Sequence, residues 1–171
     1  EYRYPTSRNI YSDKLQALSG RAFADNLAEQ RPGRWREQFA DRAAIPGSRA
    51  LHVEIGCNAG HVTVEWAARN PADAFIGIDW KYKPIFRAAE KGIKRRLNNL
   101  IFMRAHADRL HYMFAPGEID FLYLYFPDPW PKKSHWKHRY LTAERLRAIA
   151  PLMKDGGIFH IKTDHAGYFE W

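Results

Sequence analysis

From residue 50 onward, short apolar segments typical of buried strands alternate with segments that have a helical pattern. The predicted strands cover residues 50–55, 74–79, 100–103, 119–125 and 158–162. The predicted helices cover residues 60–69, 84–97, 107–113 and 142–152. Strands and helices that alternate with short turns build parallel sheets through right-handed crossovers. The sequence therefore predicts an α/β fold, a doubly wound sheet with helices on both faces.

The first 48 residues lack this alternation and carry no strand signal. They are polar and helix-prone, with a short helix predicted over residues 12–19, opened by a serine N-cap, and a turn or two of helix over residues 34–39. Proline, glycine and serine at residues 46–48 mark a break. We therefore predict one domain with a helical N-terminal extension over residues 1–48 and an α/β core over residues 49–171.

Length and charge limit the function. A chain of 171 residues is long enough for one packed domain. Because Lys and Arg number 27 and Asp and Glu 19, the net charge is +8, which favours an anionic partner such as nucleic acid, although a merely basic soluble protein is the alternative. The chain ends at Trp171, shortly after the last predicted strand, and we expect the domain to be truncated at its C-terminus.

Cellular location is predicted from what the sequence lacks. Cys57 is the single cysteine, so neither an internal disulfide nor a cysteine-based zinc site can form. No apolar run approaches the roughly 20 residues that span a bilayer, and residues 1–5 lack the apolar core of a signal peptide. We predict a cytoplasmic protein without membrane contact.

The turn after the first strand carries two glycines, Gly56 and Gly60. Ligands of doubly wound sheets bind at the carboxyl ends of the strands, and glycine allows backbone torsions and close ligand approach there. The pattern is not the dinucleotide fingerprint G-x-G-x-x-G, because Asn58 replaces a glycine. A glycine pair of this kind often does no more than connect a strand to a helix.

Two acids strengthen the ligand interpretation. Glu54 precedes the first glycine, and Asp79 ends the second strand about 25 residues later, where a carboxylate can accept both hydrogen bonds of a ribose diol. The alternatives are a helix N-cap for Asp79 and, for Glu54, an acid at the positive end of the following helix. Together, the glycines and acids resemble the Rossmann-like S-adenosylmethionine-dependent methyltransferases. The resemblance implies S-adenosyl-L-methionine as cofactor, bound by Glu54, Gly56, Gly60 and Asp79.

In methyltransferases of that class, an acid or amide after the third strand commonly contacts the adenine amino group. His106 stands at the matching position and could accept a hydrogen bond through a neutral ring nitrogen. Asp108 is the alternative ligand, or it caps the short helix that follows.

The most specific motif follows the fourth strand. Pro127 and Pro129 stop that strand and hold the carboxylate of Asp128 in a stiff, extended turn. Cationic or titratable side chains come next, at Lys132, Lys133, Lys137, His138 and Arg139. A fixed acid beside mobile cations predicts a reaction centre next to a polyanion.

Residues 126–133, followed by His135, Lys137 and Arg139, closely resemble the bacterial tRNA (guanine-N7)-methyltransferases, whose motif is F-x-D-P-W-x-K-x-x-H-x-K-R-R. Matches at residues 54–56, 77–79 and 162–164 extend the resemblance from about residue 34 to the end. The chain departs from the family pattern at four positions, namely Asn58, His106, Ser134 and His138.

This resemblance implies methyl transfer to N7 of a guanine in the variable loop of tRNA. Asp128 would be the catalytic residue and would also contact the cofactor, while Lys132 and Asp164 would contact the substrate. Guanine N7 has an in-plane lone pair and no proton, so the enzyme needs orientation and charge stabilisation instead of a general base.

The remaining residues of the motif are expected to contact tRNA. Phosphate contacts are predicted for Lys133, Lys137, His138 and Arg139, and base stacking or a core position for Trp130 and Trp136. His135 and His138 lack a neighbouring acid or cysteine, and we expect no metal. The protein is predicted to be a monomer or homodimer.

Two other functions stay open at this point. One is a non-catalytic RNA-binding module on a methyltransferase fold, which the departures at Asn58 and His106 favour. The other is a methyltransferase that acts on an amino group of another substrate, with an incidental basic surface.

Overall fold

The structure, a computed structural model, describes residues 3–4, 9–18, 20–40 and 50–171. Its centre is a sheet of six parallel strands in the order β1-β4-β3-β2-β5-β6. The strands are β1 Ala22–Ala24, β2 Leu51–Ile55, β3 Ala74–Asp79, β4 Leu100–Arg104, β5 Ile119–Tyr125 and β6 Met153–Lys162. The chain runs from β2 toward β4 on one side and crosses to β5 and β6 on the other. Strand order thus reverses between β2 and β5, where doubly wound sheets bind ligands.

The helices lie on both faces of this sheet, which confirms the predicted fold class. They are α1 Ile10–Gln16, α2 Trp35–Ala40, α3 His61–Arg69, α4 Tyr82–Lys94, α5 Leu110–Met113, α6 Ala143–Ile149 and α7 Ala166–Phe169. Short 3-10 segments cover Asp25–Glu29, Ala107–Arg109, Lys133–His138 and Ala150–Leu152. In the described ranges, no helix has the length and apolarity needed to cross a bilayer.

Apolar side chains fill both faces of the sheet. On one face, Trp35 and Phe114 pack with strand residues such as Met103 in a buried cluster. On the other, Ile85 of α4 packs against Phe102. The sheet is therefore the middle layer of three, as parallel sheets covered by crossover helices require.

The N-terminal extension is not purely helical, and the absence of a strand signal was misleading. Residues Ala22–Ala24 form β1 and pair in parallel with β4 at one edge of the sheet. Alanine has little strand propensity, and three residues are too few to show a pattern. Moreover, α1 begins before the predicted residue 12, because the Asn9 side chain caps it by accepting the Tyr11 N–H at 2.9 Å. The predicted break at residues 46–48 lies outside the described residues.

An ion pair and hydrogen bonds to a buried carboxylate attach this extension to the core. Arg104, at the end of β4, pairs with Asp25 and stacks over the Tyr82 ring at 4.1 Å. Glu118 accepts the backbone N–H groups of Gly33 at 2.7 Å and Trp35 at 3.1 Å. The extension is thus part of the same packed unit as the sheet.

Candidate functional site

A cleft of about 510 Å³ opens at the carboxyl ends of the central strands. Four of the predicted site residues line it together: Gly56, Asp79, His106 and Asp128. Tyr140 and Arg145 also line the cleft. Neither was predicted as a site residue, because both follow the motif without a distinguishing pattern. The position of the cleft is the one that the reversal of strand order predicts for a ligand.

The glycine turn, residues 56–60, forms one wall of the cleft. The N–H groups of Gly56 and Cys57 both donate to the Ile78 carbonyl, at 2.8 and 3.0 Å. Gly56 has φ +76°, and a Cβ built on it would meet nothing within 4 Å. Asn58 has φ +49°, a left-handed conformation that asparagine tolerates better than most residues. Its departure from glycine therefore preserves the turn.

Gly60, at the end of the turn, and Glu54, before its start, are not among the residues that line the cleft. Their predicted contacts with the cofactor stay predictions. A Cβ on Gly60 would lie 2.7 Å from both the Ala88 Cβ and the Phe102 ring, so this glycine allows helix packing. Glu54 is 5% exposed and accepts a hydrogen bond from the Thr63 hydroxyl on α3. Burial raises the pKa of Glu54 despite that bond.

Asp79 closes the cleft side of the glycine turn. Its Oδ2 accepts the Asn58 N–H at 3.1 Å, and its Oδ1 accepts the Lys81 N–H at 2.9 Å. Lys81, not Asp79, is the N-cap residue of α4. A carboxylate can accept about four hydrogen bonds, so Asp79 retains capacity for a diol.

His106 lies on the cleft wall, after the end of β4. Its Nδ1 accepts the Asp108 N–H at 3.3 Å, so the ring caps the following 3-10 helix. Burial lowers the pKa of His106, which favours the neutral ring. The predicted contact of His106 with the adenine amino group stays a prediction.

Asp108 holds another wall residue in place. Arg145 donates to both of its oxygens, at 2.7 and 3.3 Å. Burial by itself would raise the pKa of Asp108, but the Arg145 guanidinium outweighs it and the pKa is lowered. Asp108 is therefore an ionised anchor for the wall of the cleft.

The proline turn, residues 127–131, faces the glycine turn across the cleft. Asp128 is exposed on the cleft wall. Phe126 and Trp130, which flank the turn's acid, have φ +50° and +44°. Among the described residues, three of the five non-glycine residues with positive φ line the cleft, the third being Asn58. Such conformations cluster at functional sites, where surrounding contacts hold them.

The charged and titratable residues that were predicted to contact RNA separate into three groups. Lys137 and His138 line the cleft. Lys132, Lys133 and Asp164 are exposed and lie outside its wall. The expected phosphate contact of Arg139 is wrong, because this side chain is 1% exposed and its Nε donates to the Pro129 carbonyl at 2.9 Å.

The two tryptophans also differ. Trp130 lines the cleft, with its ring centroid 5.1 Å from that of His138. Trp136 packs against the Arg139 guanidinium at 4.5 Å, so it belongs to the support behind the cleft. Only Trp130 is placed for the stacking role that the sequence allowed for both.

Metal and thiol chemistry find little support in these residues. The rings of His135 and His138 lie 6.2 Å apart. Within the part of the chain that the structure describes, no group of three His, Cys, Asp or Glu residues could hold a metal ion. Cys57 is buried, and burial raises the pKa of its thiol well above the ordinary value.

Comparison with known proteins agrees with this geometry. Residues 48–171 match the family described as "Putative methyltransferase", and the chain belongs to that family. Three solved structures share the fold at low sequence identity. They are the aminoglycoside resistance methyltransferase NpmB1 (24% identity, TM-score 0.56), the antibiotic-resistance methyltransferase Kmr (19%, 0.56) and the 16S rRNA methyltransferase KamB (19%, 0.57).

The alignments cover 74%, 78% and 77% of this chain and 60%, 68% and 58% of NpmB1, Kmr and KamB, respectively. The chain therefore spans less than two thirds of the length of NpmB1 and KamB. At these identities the likeness establishes the fold.

The family and fold imply S-adenosyl-L-methionine as methyl donor. When bound, this cofactor supplies an electrophilic methyl group on a sulfonium. The cleft residues fit such a molecule: Asp79 has spare acceptor capacity at the end of β3, and Gly56 leaves open space where a side chain would project. His106 adds a polar ring at the end of β4.

Proposed function

We propose that this chain transfers a methyl group from S-adenosyl-L-methionine to N7 of a guanine in tRNA. One observation carries the proposal: the exposed carboxylate of Asp128, held between Pro127 and Pro129, shares a cleft with Asp79. A nucleoside-binding acid and a second, rigidly held acid thus face the same space from different strand ends.

The chemistry of guanine suits this second acid. The N1–H and the amino group on C2 donate hydrogen bonds, and the Asp128 carboxylate can accept both. Methylation at N7 places positive charge on the base, and a preorganised carboxylate stabilises that charge as it develops. Asp128 would therefore orient the guanine and stabilise its charge without removing a proton.

The surroundings of Asp128 support an RNA substrate. Lys137 and His138 line the cleft, and the exposed Lys133 lies close by in sequence. Cations there would contact phosphates, while the ring of Trp130 would stack on the target base. With a net charge of +8, the chain suits a polyanion. A tRNA substrate also agrees with the predicted cytoplasmic location.

Lys132 and Asp164 are proposed as substrate contacts outside the cleft. Both are exposed, so an RNA bound over the cleft mouth could reach them. Of the remaining predicted ligands, we propose that Gly56 and His106 contact the cofactor, because both line the cleft. Glu54 and Gly60 are proposed to act indirectly, by supporting the glycine turn. Whether the protein is a monomer or homodimer stays a prediction.

The test is incubation of the protein with labelled S-adenosylmethionine and unmodified tRNA, followed by nucleoside analysis. N7-methylguanosine should appear, and borohydride and aniline should cleave the product RNA at that nucleoside. Asp128→Asn should lower kcat by at least about 100-fold while the unfolding temperature stays unchanged. The matched control is Asp155→Asn, an exposed acid near the start of β6, at the end of the strands opposite to the cleft, which should keep full activity.

A second candidate substrate is ribosomal RNA, because KamB, which shares the fold, is named a 16S rRNA methyltransferase. Small ribosomal subunits in a parallel reaction separate the candidates by which RNA becomes labelled. A methylated amino group in the nucleoside analysis would favour the amino-methyltransferase alternative. Absence of S-adenosylmethionine binding together with RNA binding would favour the non-catalytic module.

A further inference from the structure

We propose that Arg139 is a positioning residue that fixes the proline turn relative to the segment that follows β6. Its catalytic consequence rests on the proposed function, because the turn that it holds carries Asp128. The motif resemblance assigned this arginine to tRNA phosphates, but at 1% exposure its guanidinium cannot reach one.

The guanidinium bridges two backbone carbonyls from different parts of the chain. Its Nε donates to the Pro129 carbonyl at 2.9 Å, and its Nη1 donates to the Gly167 carbonyl at 3.2 Å. Pro129 directly follows Asp128, and Gly167 lies in α7, three residues after Asp164. One side chain thus connects the turn that carries Asp128 to the helix that follows Asp164.

Aromatic rings enclose the same guanidinium. Its central carbon lies 4.5 Å from the ring centroid of Trp136, 5.0 Å from that of Trp171 and 5.1 Å from that of Tyr168. Cation–π attraction and the two carbonyls offset the cost of removing the charge from water. This enclosure fixes the guanidinium, and a fixed donor can hold a backbone in one place.

The proline turn needs a donor from outside itself. Prolines at 127, 129 and 131 have no backbone N–H. Within residues 127–131, only Asp128 and Trp130 therefore have a backbone N–H that can donate a hydrogen bond. Trp130 also has φ +44°, a conformation that persists only where surrounding contacts impose it. The bond from Arg139 to the Pro129 carbonyl, next to Trp130, is such a contact.

The test is the variant Arg139→Lys, which keeps the charge but cannot bridge two carbonyls with a planar fork. We expect kcat for methyl transfer to fall by about 10- to 100-fold, since displacing a reacting group by about 1 Å has an effect of that size. In the Asp128→Asn background the same change should have little further effect, because the positioned carboxylate is already removed. Additive losses in the double variant would overturn the proposal.

Lys137→Gln is the matched comparison for a phosphate contact. Lys137 is an exposed cation two residues earlier on the cleft wall, and its loss should weaken tRNA binding and reduce the slope of log affinity against log salt by about 1. Arg139→Gln, which removes the charge in the same way, should leave that slope unchanged. A reduced slope for Arg139→Gln would return Arg139 to the role of a phosphate contact.

Amide hydrogen exchange separates this proposal from the proposed function. The Phe126 N–H, directly before the proline turn, donates to the Lys162 carbonyl at 2.8 Å. In Arg139→Lys, exchange at the Phe126 amide should accelerate at least about tenfold, while protection in β3 is retained. This result would support the positioning role even if the wild-type protein methylates no tRNA, and unchanged exchange would overturn it. Should Arg139→Lys fail to fold, Trp171→Ala, which removes one half-exposed ring from the enclosure, should produce a smaller acceleration at Phe126.

Discussion

The glycine turn and the proline turn face each other across one cleft, but they are stabilised in opposite ways. In the glycine turn, backbone N–H groups donate to the neighbouring strand, with both Gly56 and Cys57 bonded to the Ile78 carbonyl. In the proline turn, the Pro129 carbonyl accepts from the buried side chain of Arg139. The first turn is stabilised locally and the second by a residue ten positions away.

This difference indicates where each turn is vulnerable. A change of backbone freedom or packing should damage the glycine turn, because flexible residues and close helix contacts form it. Loss of a distant donor should damage the proline turn, because prolines limit its own hydrogen bonding.

The largest expected effect is on the free energy of unfolding, and it differs between Gly60 and Gly56. Gly60→Ala should lower the free energy of unfolding by about 3 kcal/mol, because the new methyl group meets Ala88 and Phe102 at 2.7 Å and φ is +68°. Gly56→Ala should cost only about 1 kcal/mol, since its φ is also positive but the methyl group enters open space. Urea unfolding measures both.

The affinity for S-adenosylmethionine should show the opposite order, with a larger loss for Gly56→Ala than for Gly60→Ala. The methyl group of Gly56→Ala projects into the cleft, so calorimetry should detect S-adenosylmethionine binding that is at least about tenfold weaker than in the wild type. A stable Gly60→Ala protein, or a Gly56→Ala protein with unchanged affinity, would contradict the division between a packing glycine and a ligand glycine.

The next effect concerns Asp79, which accepts the Asn58 N–H of the glycine turn and is proposed as a cofactor ligand. Asp79→Ala should weaken S-adenosylmethionine binding by about 10- to 100-fold, since hydrogen bonds to a charged group contribute about 1.5–3 kcal/mol. It also removes the acceptor of the Asn58 N–H, so amide exchange should accelerate at Asn58 but not at Phe126, whose N–H donates to the Lys162 carbonyl beside the proline turn. Equal acceleration at both sites would show that the two turns are not independent.

The smallest effect is a pH dependence of opposite sign behind the two turns. Burial raises the pKa of Glu54 under the glycine turn. Its stabilising contribution is therefore lost as pH rises from the ordinary value of 4.5 through the raised one. Burial acts to raise the pKa of Asp108 as well, but Arg145 lowers it, so its contribution is present above the ordinary value of 3.8 and lost as pH falls through the lowered one.

Thermal unfolding from about pH 3 to about pH 8 checks both signs. Relative to the wild type, Glu54→Gln should become more stable as pH increases, and Asp108→Asn should lose most stability near neutral pH. Parallel curves for the two variants would contradict the assignment of opposite shifts.

Much of the fold could be predicted because its signal is local. The bounds of β3 and β5 equal the predicted ones, since both strands are mostly apolar segments, with Asp79 at the end of β3 and Pro127 shortly after β5. The strand β1 could not be predicted, because its place depends on pairing with β4 and on the pair between Asp25 and Arg104, both distant in sequence.

The candidate site shows the same difference between residues with a local sequence signal and residues whose position depends on distant contacts. Asp79 and Asp128 could be placed because each stands at a strand end, and the sheet brings strand ends together. Arg139 could not, because a basic run in sequence gives no sign of which cation turns inward. The capping role of His106 was not predicted either, since the sequence does not show that its Nδ1 accepts the Asp108 N–H.

The buried cysteine beneath the glycine turn has a consequence of its own. Cys57 is the single thiol of the chain, and thiol reagents attack only an exposed thiolate. Each labelling event therefore records one opening of the wall around the cofactor space. The rate of reagent uptake measures how often that wall opens, and a ligand that holds it shut slows the uptake in proportion to its occupancy.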